Sequence, residues 1–572
     1  MLGGLPSASV PCWLAAAMMV SLSFTVAPGA GAAGGPPYPS GTVDVPPGGD
    51  LQAALNQALP GDIIRLAAGA TYTGPYTLPV KTGSAYITIR TDASDAALPP
   101  PRTRVNPSHF PLLARVVAPY GSVFASASGA HHYRFLGLEL APTPGTFLYN
   151  VVLLGNGAET AVADLPHDIV FDRCYIHGDP VAGSRRGIAL NGRNITVVDS
   201  RISDLKEVGA DSQALAGWGG AGPFTIVNNY LEGAGENVLF GGADANIPGL
   251  LPTDIVVRHN HVYKPLRWRV SDPSFEGTHW SVKNLFELKV GRQVVVEGNV
   301  FEQNWVDAQV GTAILFTVRN QDGGSPWSQI DHVTFRDNIV RHAGDGFNVL
   351  GYDNNYASRQ TNNITISNNL LYDLNVSWGG WGAFALVLNG TNRVTLDHNT
   401  VLQGGHVLIG DGPTPNTGFT FTNNISPHNE YGVFGSGRAS GNDSLDAYWP
   451  GAVFRRNVIP GAPAAYYPTD NFYPARMADV GFTDLAGADY HLASGSPYKG
   501  AGSDGKDIGA DIDAVESATC GAINGTYCTS SGPSEPSSLP VLLPILLVVV
   551  AVVLILCALF LARRRRRRTG GA

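Results

Sequence analysis

Lys289 and Arg319 occupy matching positions in two strand-like segments near the middle of the chain. The segments read NLFELKVG and AILFTVRN, and both alternate apolar with polar residues. Such alternation is typical of a strand with one buried face. If Phe286 faces a core, Glu287 and Lys289 face outward, and Arg319 belongs to the outward set of the second segment. The two cations are therefore expected on neighbouring strands of one exposed sheet face.

A lysine beside a second cation could act as a general base, because like charges favour its neutral form. Two cations would also neutralise a carboxylate, and this acidifies the proton on the adjacent carbon. Lys289, Arg319 and Glu287 are thus candidate catalytic residues for β-elimination on a uronate polysaccharide. Gly241 falls in the same column on the preceding strand and would leave open space there. In the alternative interpretation, Glu287 simply pairs with both cations in a solvated ion ladder.

Acidic residues upstream could support a different reaction. Asp211 with Glu232 or Glu236 would suit acid/base hydrolysis of a glycosidic bond if the carboxyl groups stand about 5–10 Å apart. Carboxylate oxygens also bind Ca²⁺. Glu232 and Glu236 are therefore predicted metal ligands, and Ca²⁺ is the candidate cofactor. The alternative is that these side chains only accept N–H hydrogen bonds at turns.

Four tryptophans and an asparagine are candidates for contact with a glycan. They are Trp218, Trp280, Trp305, Trp327 and Asn320. The long loops 265–281 and 321–331 are rich in aromatic and charged residues, and together they would form the walls of a cleft. The alternative is that these loops cover hydrophobic surface, and core or loop packing explains any one of the tryptophans equally well.

Repeated segments show which elements position these residues. A ten-residue strand–turn–strand pattern recurs about every 30 residues, which indicates a stacked array of coils. ITVVDSRISD, FTIVNNYLEG and VTFRDNIVRH are examples. The sixth position is Cys174, then Ser200, and then asparagine in every later repeat. These asparagines are Asn229, Asn260, Asn299, Asn338, Asn369, Asn399, Asn424 and Asn457.

Asparagines stacked at one turn can hydrogen-bond to each other and satisfy buried polar groups. A second strand set, exemplified by NVLFGG and FALVLNG, precedes the first in each coil. These features predict an all-β fold, a right-handed parallel β-helix of roughly ten or more coils with an Asn ladder. A short helix within 50–74 and a closing segment within 489–513 are expected to cap it.

The composition excludes several classes of protein. Of 572 residues 69 are glycine, and only 15% are charged, which rules out a disordered chain, a coiled coil and a typical helical enzyme. The net charge is −9 although six arginines stand together at 563–568, so the rest of the chain is strongly acidic. General nucleic-acid binding is therefore not expected.

Apolar runs at both ends indicate export and anchoring. Residues 1–33 resemble a signal peptide, and the uncharged run 539–562 is long enough to span a bilayer. The arginines that follow place the C-terminus in the cytoplasm and the rest outside. An uncleaved N-terminal anchor and a processed C-terminal sorting signal are the alternatives. The predicted segments are a signal peptide at 1–33, a β-helix domain at 42–515, a Ser/Gly/Pro-rich stalk at 516–538, a transmembrane helix at 539–562 and a basic tail at 563–572.

The five cysteines fit an exported protein. Cys174 stands in a strand pattern and is expected to be a small core residue. Cys520 and Cys528 are eight positions apart in a polar stretch, which makes a small disulfide loop plausible outside the cell. No cysteine pattern has the spacing of zinc ligands.

The repeat resembles the pectin-lyase-like right-handed β-helix superfamily over roughly residues 42–514. Within it, the stretch 228–320 is most similar to the alginate lyase and chondroitinase-B family, through NLFELKVGRQVVVEGNVFE and ILFTVRN. The resemblance implies that Lys289 acts as base and Arg319 as acid. It also implies that Glu and Asn oxygens hold a Ca²⁺ ion against the substrate carboxylate.

The sequence as a whole therefore predicts a surface-anchored extracellular protein that acts on a polysaccharide. A lyase that cleaves a uronate-containing polysaccharide is the first hypothesis, with a related epimerase beginning from the same proton abstraction. A glycoside hydrolase using paired carboxylates is the second, and a non-catalytic carbohydrate-binding protein is the third. The expected partners are a polysaccharide and, through the C-terminal helix, a lipid bilayer.

Overall fold

A computed structural model describes residues 41–528 of the chain. Three long sheets contain 14, 12 and 11 strands, and neighbouring strands within each sheet are separated by one circuit of the chain. All pairings within the three sheets are parallel, for example Asn284–Leu288 with Thr312–Thr317. The chain passes through the three sheets in turn and rises by one strand per circuit. This is the predicted parallel β-helix, and it is consistent with the right-handed form.

We number the sheets by size. Sheet 1 comprises Thr42–Val45, Ile63–Leu66, Ile87–Thr91, His131–Leu136, His167–Asp172, Arg193–Val198, Phe224–Val227, Thr253–Arg258, Gly291–Glu297, Ile330–Arg336, Asn362–Ser367, Asn392–Asp397, Thr420–Thr422 and Val453–Arg455. Sheet 2 comprises Tyr76–Leu78, Phe124–Ser126, Asn150–Leu154, Arg186–Leu190, Gln213–Gly217, Glu236–Phe240, Asn284–Leu288, Thr312–Thr317, Asp345–Leu350, Ala385–Leu388, Leu408–Gly410 and Val433–Gly435. Sheet 3 comprises Thr71–Thr73, Ala114–Ala118, Leu138–Pro142, Tyr175–His177, Arg201–Leu205, Tyr230–Gly233, His261–Tyr263, Val300–Glu302, Ile339–Ala343, Leu370–Leu374 and Thr400–Gln403.

The remaining elements are short. Phe482–Asp484 and Asp489–Leu492 form an antiparallel pair. The α-helices are α1, Leu51–Gln57; α2, Asn442–Tyr448; and α3, Ile512–Thr519. Five 3-10 helices lie at Pro107–Leu112, Val162–Asp164, Leu266–Trp268, Ala464–Tyr466 and Met477–Val480.

The core runs along the inside of the coils, where the inward residues of all three sheets meet. Alternate residues of each strand point into it, as Val294 and Val296 do in sheet 1. Aromatic rings stack from coil to coil, and the rings of Phe135 and Phe171 lie 4.7 Å apart between centroids. Cys174 is fully buried in the same core as a free thiol, as expected.

The predicted Asn ladder occupies the turn between sheets 1 and 3. Each ladder asparagine donates an N–H of its amide to the amide oxygen of the next, for example Asn299 to Asn338 over 3.0 Å. Ladder residues from Asn229 to Asn457 are all fully buried, and the half-buried Asn471 accepts the last bond, from Asn457. The residue before each rung is left-handed, with φ of 54° at His259. The ladder therefore satisfies a continuous line of buried polar groups.

The expected cap covers the first coils. Helix α1 begins after Asp50, whose carboxylate accepts from the N–H of Ala53 at the first turn. Its residues Leu51 and Leu55 are fully buried against the core. The helix thereby shields apolar side chains that the first coil would otherwise expose.

The C-terminal segment corrects the predicted boundary at 515. Residues 516–528 do not form a stalk, because α3 continues to Thr519 and the chain then packs against earlier coils. The imidazole of His259 hydrogen-bonds to the carbonyl of Cys520 over 2.8 Å. Cys520 and Cys528 form the expected disulfide. Residues 516–528 are thus held against the coils by specific contacts of backbone groups and of the Tyr527 ring.

Several predicted segments lie outside the described residues. These are the signal peptide 1–33, the part of the stalk from 529 to 538, the transmembrane helix 539–562 and the basic tail 563–572. Between residues 41 and 528, no helix has the length and apolar character needed to cross a membrane.

Candidate active site

The predicted catalytic residues lie on the outer face of sheet 2. Phe286 and Leu288 are fully buried, which directs Glu287 and Lys289 away from the core. In the next circuit, the N–H of Arg319 donates to the carbonyl of Lys289 over 3.0 Å. The backbones of Lys289 and Arg319 therefore lie side by side on neighbouring rungs.

Gly241 lets its strand approach the stem of Lys289 closely. Its φ is +109°, and a Cβ at this position would stand 2.6 Å from the Cβ of Lys289. A larger residue would therefore collide with the lysine stem. The position beside the Lys289 stem is therefore closely packed, and the open space expected there is not what Gly241 provides.

The cations do not form the ion ladder of the alternative interpretation. Arg319 lies 3.4 Å from a carboxylate oxygen of Asp353. Glu287 instead accepts hydrogen bonds from the amide of Asn284 over 2.9 Å and from the hydroxyl of Thr317 over 3.3 Å. Among residues 41–528, the Lys289 ammonium makes no hydrogen bond or ion pair. It is half-buried and remains available to a ligand.

A second polar cluster surrounds Lys283 at the start of the same strand. Its ammonium lies 2.6 Å from Asp211 and 3.7 Å from Glu236. Gln213 donates to the other oxygen of Glu236 over 2.7 Å. The structure thus brings Asp211 and Glu236 together on one ammonium, next to Glu287.

The two carboxyl groups on Lys283 differ in their surroundings. Glu236 has no exposed surface, and burial together with the negative charges of Glu287 and Asp211 raises its pKa to about 7. The Asp211 side chain is 38% exposed and forms the shorter ion pair with Lys283. Glu236 is therefore a buried carboxyl group with a raised pKa, and beside it Asp211 is a more exposed carboxyl group paired with an ammonium.

Glu232 belongs to a different environment. It lies in sheet 3, where its oxygens accept from the hydroxyl of Tyr230 over 2.7 Å and from the guanidinium of Arg267 over 3.0 Å. Glu236 lies in sheet 2 and faces the ammonium of Lys283. The two predicted Ca²⁺ ligands thus lie on different sheets, and the buried ammonium of Lys264 interacts with both of them. Their role as Ca²⁺ ligands stays a prediction.

Two of the predicted glycan-stacking residues are buried. Trp280 and Trp305 are 4% and 3% exposed, and they pack with Trp268 in a separate hydrophobic cluster. Their faces are covered by the protein, so their interpretation as sugar-stacking surfaces is wrong. Trp218 and Trp327 are half-buried, and Trp218 lies under the guanidinium of Arg186 at 4.7 Å.

Asn320 positions a loop and does not contact a ligand in this arrangement. It is 1% exposed. Its amide donates to the carbonyl of Ala357 over 2.8 Å and accepts from the N–H of Ser325 over 2.7 Å. Since these bonds use its polar atoms inside the protein, the prediction that it binds substrate is wrong.

The two long loops leave the coils at opposite edges of sheet 2. The loop 265–281 connects sheet 3 to sheet 2, whereas 321–331 follows Thr312–Thr317 and leads into sheet 1. They therefore flank the outer face of sheet 2 from both sides, and they are not side by side as expected. The first loop also covers hydrophobic surface with Trp268 and Trp280, as the alternative interpretation proposed.

Sequence reasoning missed Lys283, Asn284, Gln213 and Asp353. The register pairs Gln213 with Glu236 and Glu236 with Asn284 across three strands of sheet 2. An alignment of the first residue of each strand would have revealed this polar column. Asp353 lies in a loop after its strand, and no spacing in the sequence signals its contact with Arg319.

Comparison with known proteins finds similarity only to solved structures of low sequence identity. No protein-family model matches the chain, and no curated protein is similar enough to count as a relative. Similar solved structures include an alginate lyase from Paenibacillus sp. strain FPU-7, at 13% identity over 69% of this chain and 97% of that chain, with a TM-score of 0.25. The catalytic unit of a GH87 α-1,3-glucanase from Streptomyces thermodiastaticus is 14% identical over 75% of this chain and 70% of that chain, with a TM-score of 0.43. Pectate lyase Pel9A is 13% identical over 82% of this chain and 96% of that chain, with a TM-score of 0.33. The parallel β-helix itself rests on the sheet pairings of this chain.

Proposed function

We propose that the protein cleaves a uronate-containing polysaccharide by β-elimination on the outer face of sheet 2. The observation that carries the proposal is the ammonium of Lys289. It has no partner among residues 41–528, and the backbone of Arg319 lies beside that of Lys289 on the next rung. A site with two adjacent cations suits a substrate that carries a carboxylate.

The chemistry follows from these positions. A uronate carboxylate held between the two cations would lose part of its negative charge, so the proton on the adjacent carbon becomes more acidic. Lys289 in its neutral form removes that proton, and the electrons of the C–H bond form a double bond. The bond from the β-carbon to the glycosidic oxygen breaks, and the oxygen leaves with its electron pair and takes up a proton. The family resemblance gives this last role to Arg319.

The proposal is tested by following the unsaturated uronate in the ultraviolet with a panel of uronate polysaccharides. Because removal of a general base lowers the rate by about 10²–10⁴-fold, Lys289→Ala should lose turnover to that extent. Lys506→Ala changes an exposed lysine at the other end of the fold and is the matched control. Activity of Lys289→Ala equal to that of the control would rule out Lys289 as the base.

The cluster around Lys283 supports glycoside hydrolysis as a second candidate function. A buried carboxyl group with a raised pKa beside a more exposed carboxylate is an arrangement that suits acid/base hydrolysis. Glu236, with a pKa raised to about 7, would be the acid, and Asp211 would be the base. Hydrolysis predicts new reducing ends without unsaturated uronate, and their loss in Glu236→Gln. If neither product appears with any glycan, retention on immobilised glycan would identify a non-catalytic binding protein.

We also propose that the protein is anchored at the cell surface. The proposal rests on the apolar runs 1–33 and 539–562 and on the arginines that follow the second run. The test is protease treatment of intact cells, with antibodies against the β-helix and against the C-terminal tail. Digestion of the β-helix with protection of the tail supports the topology, whereas protection of both contradicts it.

A further inference from the structure

Three histidines and an aspartate meet at the beginning of two neighbouring strands of sheet 1. His131 pairs with His167 in the parallel register, and His132 and Asp168 are the next residues of the same strands. His132 and Asp168 are both left-handed, with φ of 59° and 54°. This conformation turns both side chains out of the strand and toward each other. The cluster lies several coils before the candidate active site.

The geometry of this cluster resembles that of a metal centre. One nitrogen from His132, one from His167 and one oxygen from Asp168 all lie within 4.8 Å of one another. The Nδ1 of His167 is 2.5 Å from Oδ2 of Asp168, and the Nε2 of His132 is 4.0 Å from the same oxygen. The three side chains are 16–21% exposed, so the group is partly buried and still reachable by an ion.

His132 and Asp168 are each also oriented by a neighbouring side chain. The Nδ1 of His132 is 2.7 Å from the Nδ1 of His131, and this bond leaves Nε2 of His132 facing Asp168. The amide of Asn194 donates to the other oxygen of Asp168. The rings of His131 and His167 stack with centroids 4.6 Å apart. Partners that fix the far side of each ligand are a regular feature of metal sites.

We propose that His132, His167 and Asp168 bind one divalent transition-metal ion of the Zn²⁺ class. Two imidazole nitrogens and one carboxylate oxygen form a ligand set that Zn²⁺ accepts with a fourth position open. Hard cations such as Ca²⁺ prefer sites made only of oxygen, so the two nitrogens select against them. The ion would join two successive coils near the N-terminal end of the solenoid.

Another position on sheet 1 provides a matched control. His332 is left-handed with φ of 55°, like His132, and its Nδ1 lies 2.9 Å from Asp331. Within the described range, no second histidine completes a three-ligand group there. A single His–Asp pair should bind Zn²⁺ far more weakly than three ligands. His332→Ala therefore removes an exposed histidine beside a carboxylate without touching the proposed site.

The experiment is calorimetric titration of the full-length protein with ZnCl₂, repeated with CaCl₂. One Zn²⁺ per chain is expected, with Ca²⁺ giving no competing heat. His132→Ala and Asp168→Asn should each weaken Zn²⁺ binding by at least about tenfold, and Asn194→Ala by about tenfold through loss of orientation. His332→Ala should leave the affinity unchanged. A Co²⁺ titration, read from the visible absorption of the protein-bound ion, gives a second readout of the same ligands.

Folding of each variant is checked by its thermal unfolding without metal, and Asn194→Ala remains informative if a ligand variant fails to fold. Absence of Zn²⁺ binding to the wild-type protein would overturn the proposal. So would equal Zn²⁺ affinity in the wild type and in folded His132→Ala or Asp168→Asn, because the ion would then bind elsewhere.

Discussion

At the scale of single residues, Glu236 is a carboxyl group of sheet 2 that has no contact with solvent. Its carboxyl group is completely buried, and one of its oxygens has no hydrogen-bond partner within the described part of the chain. Burial comes first among the causes that raise its pKa to about 7, followed by the charges of Glu287 and Asp211. The Lys283 ammonium opposes this shift but does not cancel it. Protonation of Glu236 is therefore linked to folding.

Glu236→Gln tests this linkage. Because the pKa of Glu236 in the folded state lies above the usual glutamate value of 4.5, the folded state keeps a proton that the unfolded state has released between pH 4.5 and about 7. The free energy of unfolding of the wild type should therefore fall as the pH rises through this window, by about 3 kcal/mol in total. The amide of the variant does not titrate, so its stability should improve relative to the wild type over the same range. Denaturant unfolding on either side of the window measures the difference.

Glu302→Gln is the control with the opposite sign. Burial acts to raise the pKa of Glu302, but hydrogen bonds and charges from His261 and Arg341 hold it below the usual value. The stability from this carboxylate is present above pH 4.5 and is lost on acidification, so the variant should lose most at neutral pH. A parallel pH response of the two variants would contradict the assignment to Glu236.

Residue types and spacing predict much of this face, and the tryptophans show where that information ends. Strand parity places Lys289 and Arg319 on neighbouring rungs because side chains alternate with period two. It says nothing of Trp280 and Trp305, since they lie in loops, where no periodicity relates sequence to direction. Their burial depends on how the loop 265–281 folds back, and tertiary packing alone decides that.

At the scale of elements, the Asn ladder holds the turn between sheets 1 and 3. Asn299 donates to Val257 and Asn338 and accepts from both the N–H and the amide of Asn260. Each rung therefore closes bonds in the coils before and after it. A buried donor that loses its acceptor costs about 1–3 kcal/mol, so one missing rung affects several groups at once.

Asn299→Ala should lower the free energy of unfolding by about 3–5 kcal/mol, because the two donors of Asn260 lose their acceptor in a fully buried site. Asn471→Ala is the matched variant at the half-buried end of the ladder, where water can replace the lost bonds. Its cost should be about 1–2 kcal/mol. Denaturant unfolding of both variants checks the ratio, and equal losses would mean that burial does not set the value of a rung.

The repeat makes the strands of the central coils predictable because every coil has the same strand–turn–strand geometry and uses the same residue types at the same positions. The loops between them are not predictable in this way. The loops 265–281 and 321–331 appear in the sequence only as extra length, which does not reveal at which edge of sheet 2 each one leaves. Their placement on opposite edges follows from the strand order and could be read only after the three sheets were known.

At the scale of the whole molecule, the chain after residue 502 returns along the outside of the coils toward the N-terminal end. Its N–H groups bond in turn to Asn423, to Thr400 and to Asn368, each one coil earlier than the last. Farther along, His259 bonds to Cys520. At the end of the segment, the guanidinium of Arg104 donates to the carbonyls of Ala522 and Ile523. We call residues 503–528 the strap. It connects late coils to early ones, although contacts elsewhere in a solenoid are mostly between neighbouring coils.

The strap explains why the predicted boundary at 515 was wrong. The stretch from 516 is rich in small and polar residues, and such a composition normally indicates an extended linker. Here backbone carbonyls and a few single side chains make the contacts, such as Tyr527, whose ring stacks on His259 with centroids 3.8 Å apart, so overall composition does not reveal them. Cys520 and Cys528 were the visible signal, because a disulfide loop restricts a segment that a linker would leave free.

Arg104→Ala should release the end of this strap. The guanidinium is 4% exposed and donates to the carbonyls of Asn228, Ala522 and Ile523 over 2.8–3.2 Å. Burial lowers its pKa to about 9, so it stays charged at neutral pH and its loss leaves three carbonyls without a donor. We expect a loss of about 3–5 kcal/mol and faster amide hydrogen exchange in residues 520–527, with the central coils unchanged.

Arg65→Ala removes an exposed arginine that pairs with Asp44 and should change neither stability nor exchange, because a surface ion pair contributes little. Hydrogen exchange read by mass spectrometry separates the two ends of the molecule in one measurement. Faster exchange throughout the coils of Arg104→Ala would mean that the strap stabilises the entire solenoid. Unchanged exchange in 520–527 would instead show that the disulfide and His259 hold the segment without Arg104. The expected pattern lies between these outcomes, since coils that contact only their neighbours transmit the loss of one distant contact poorly.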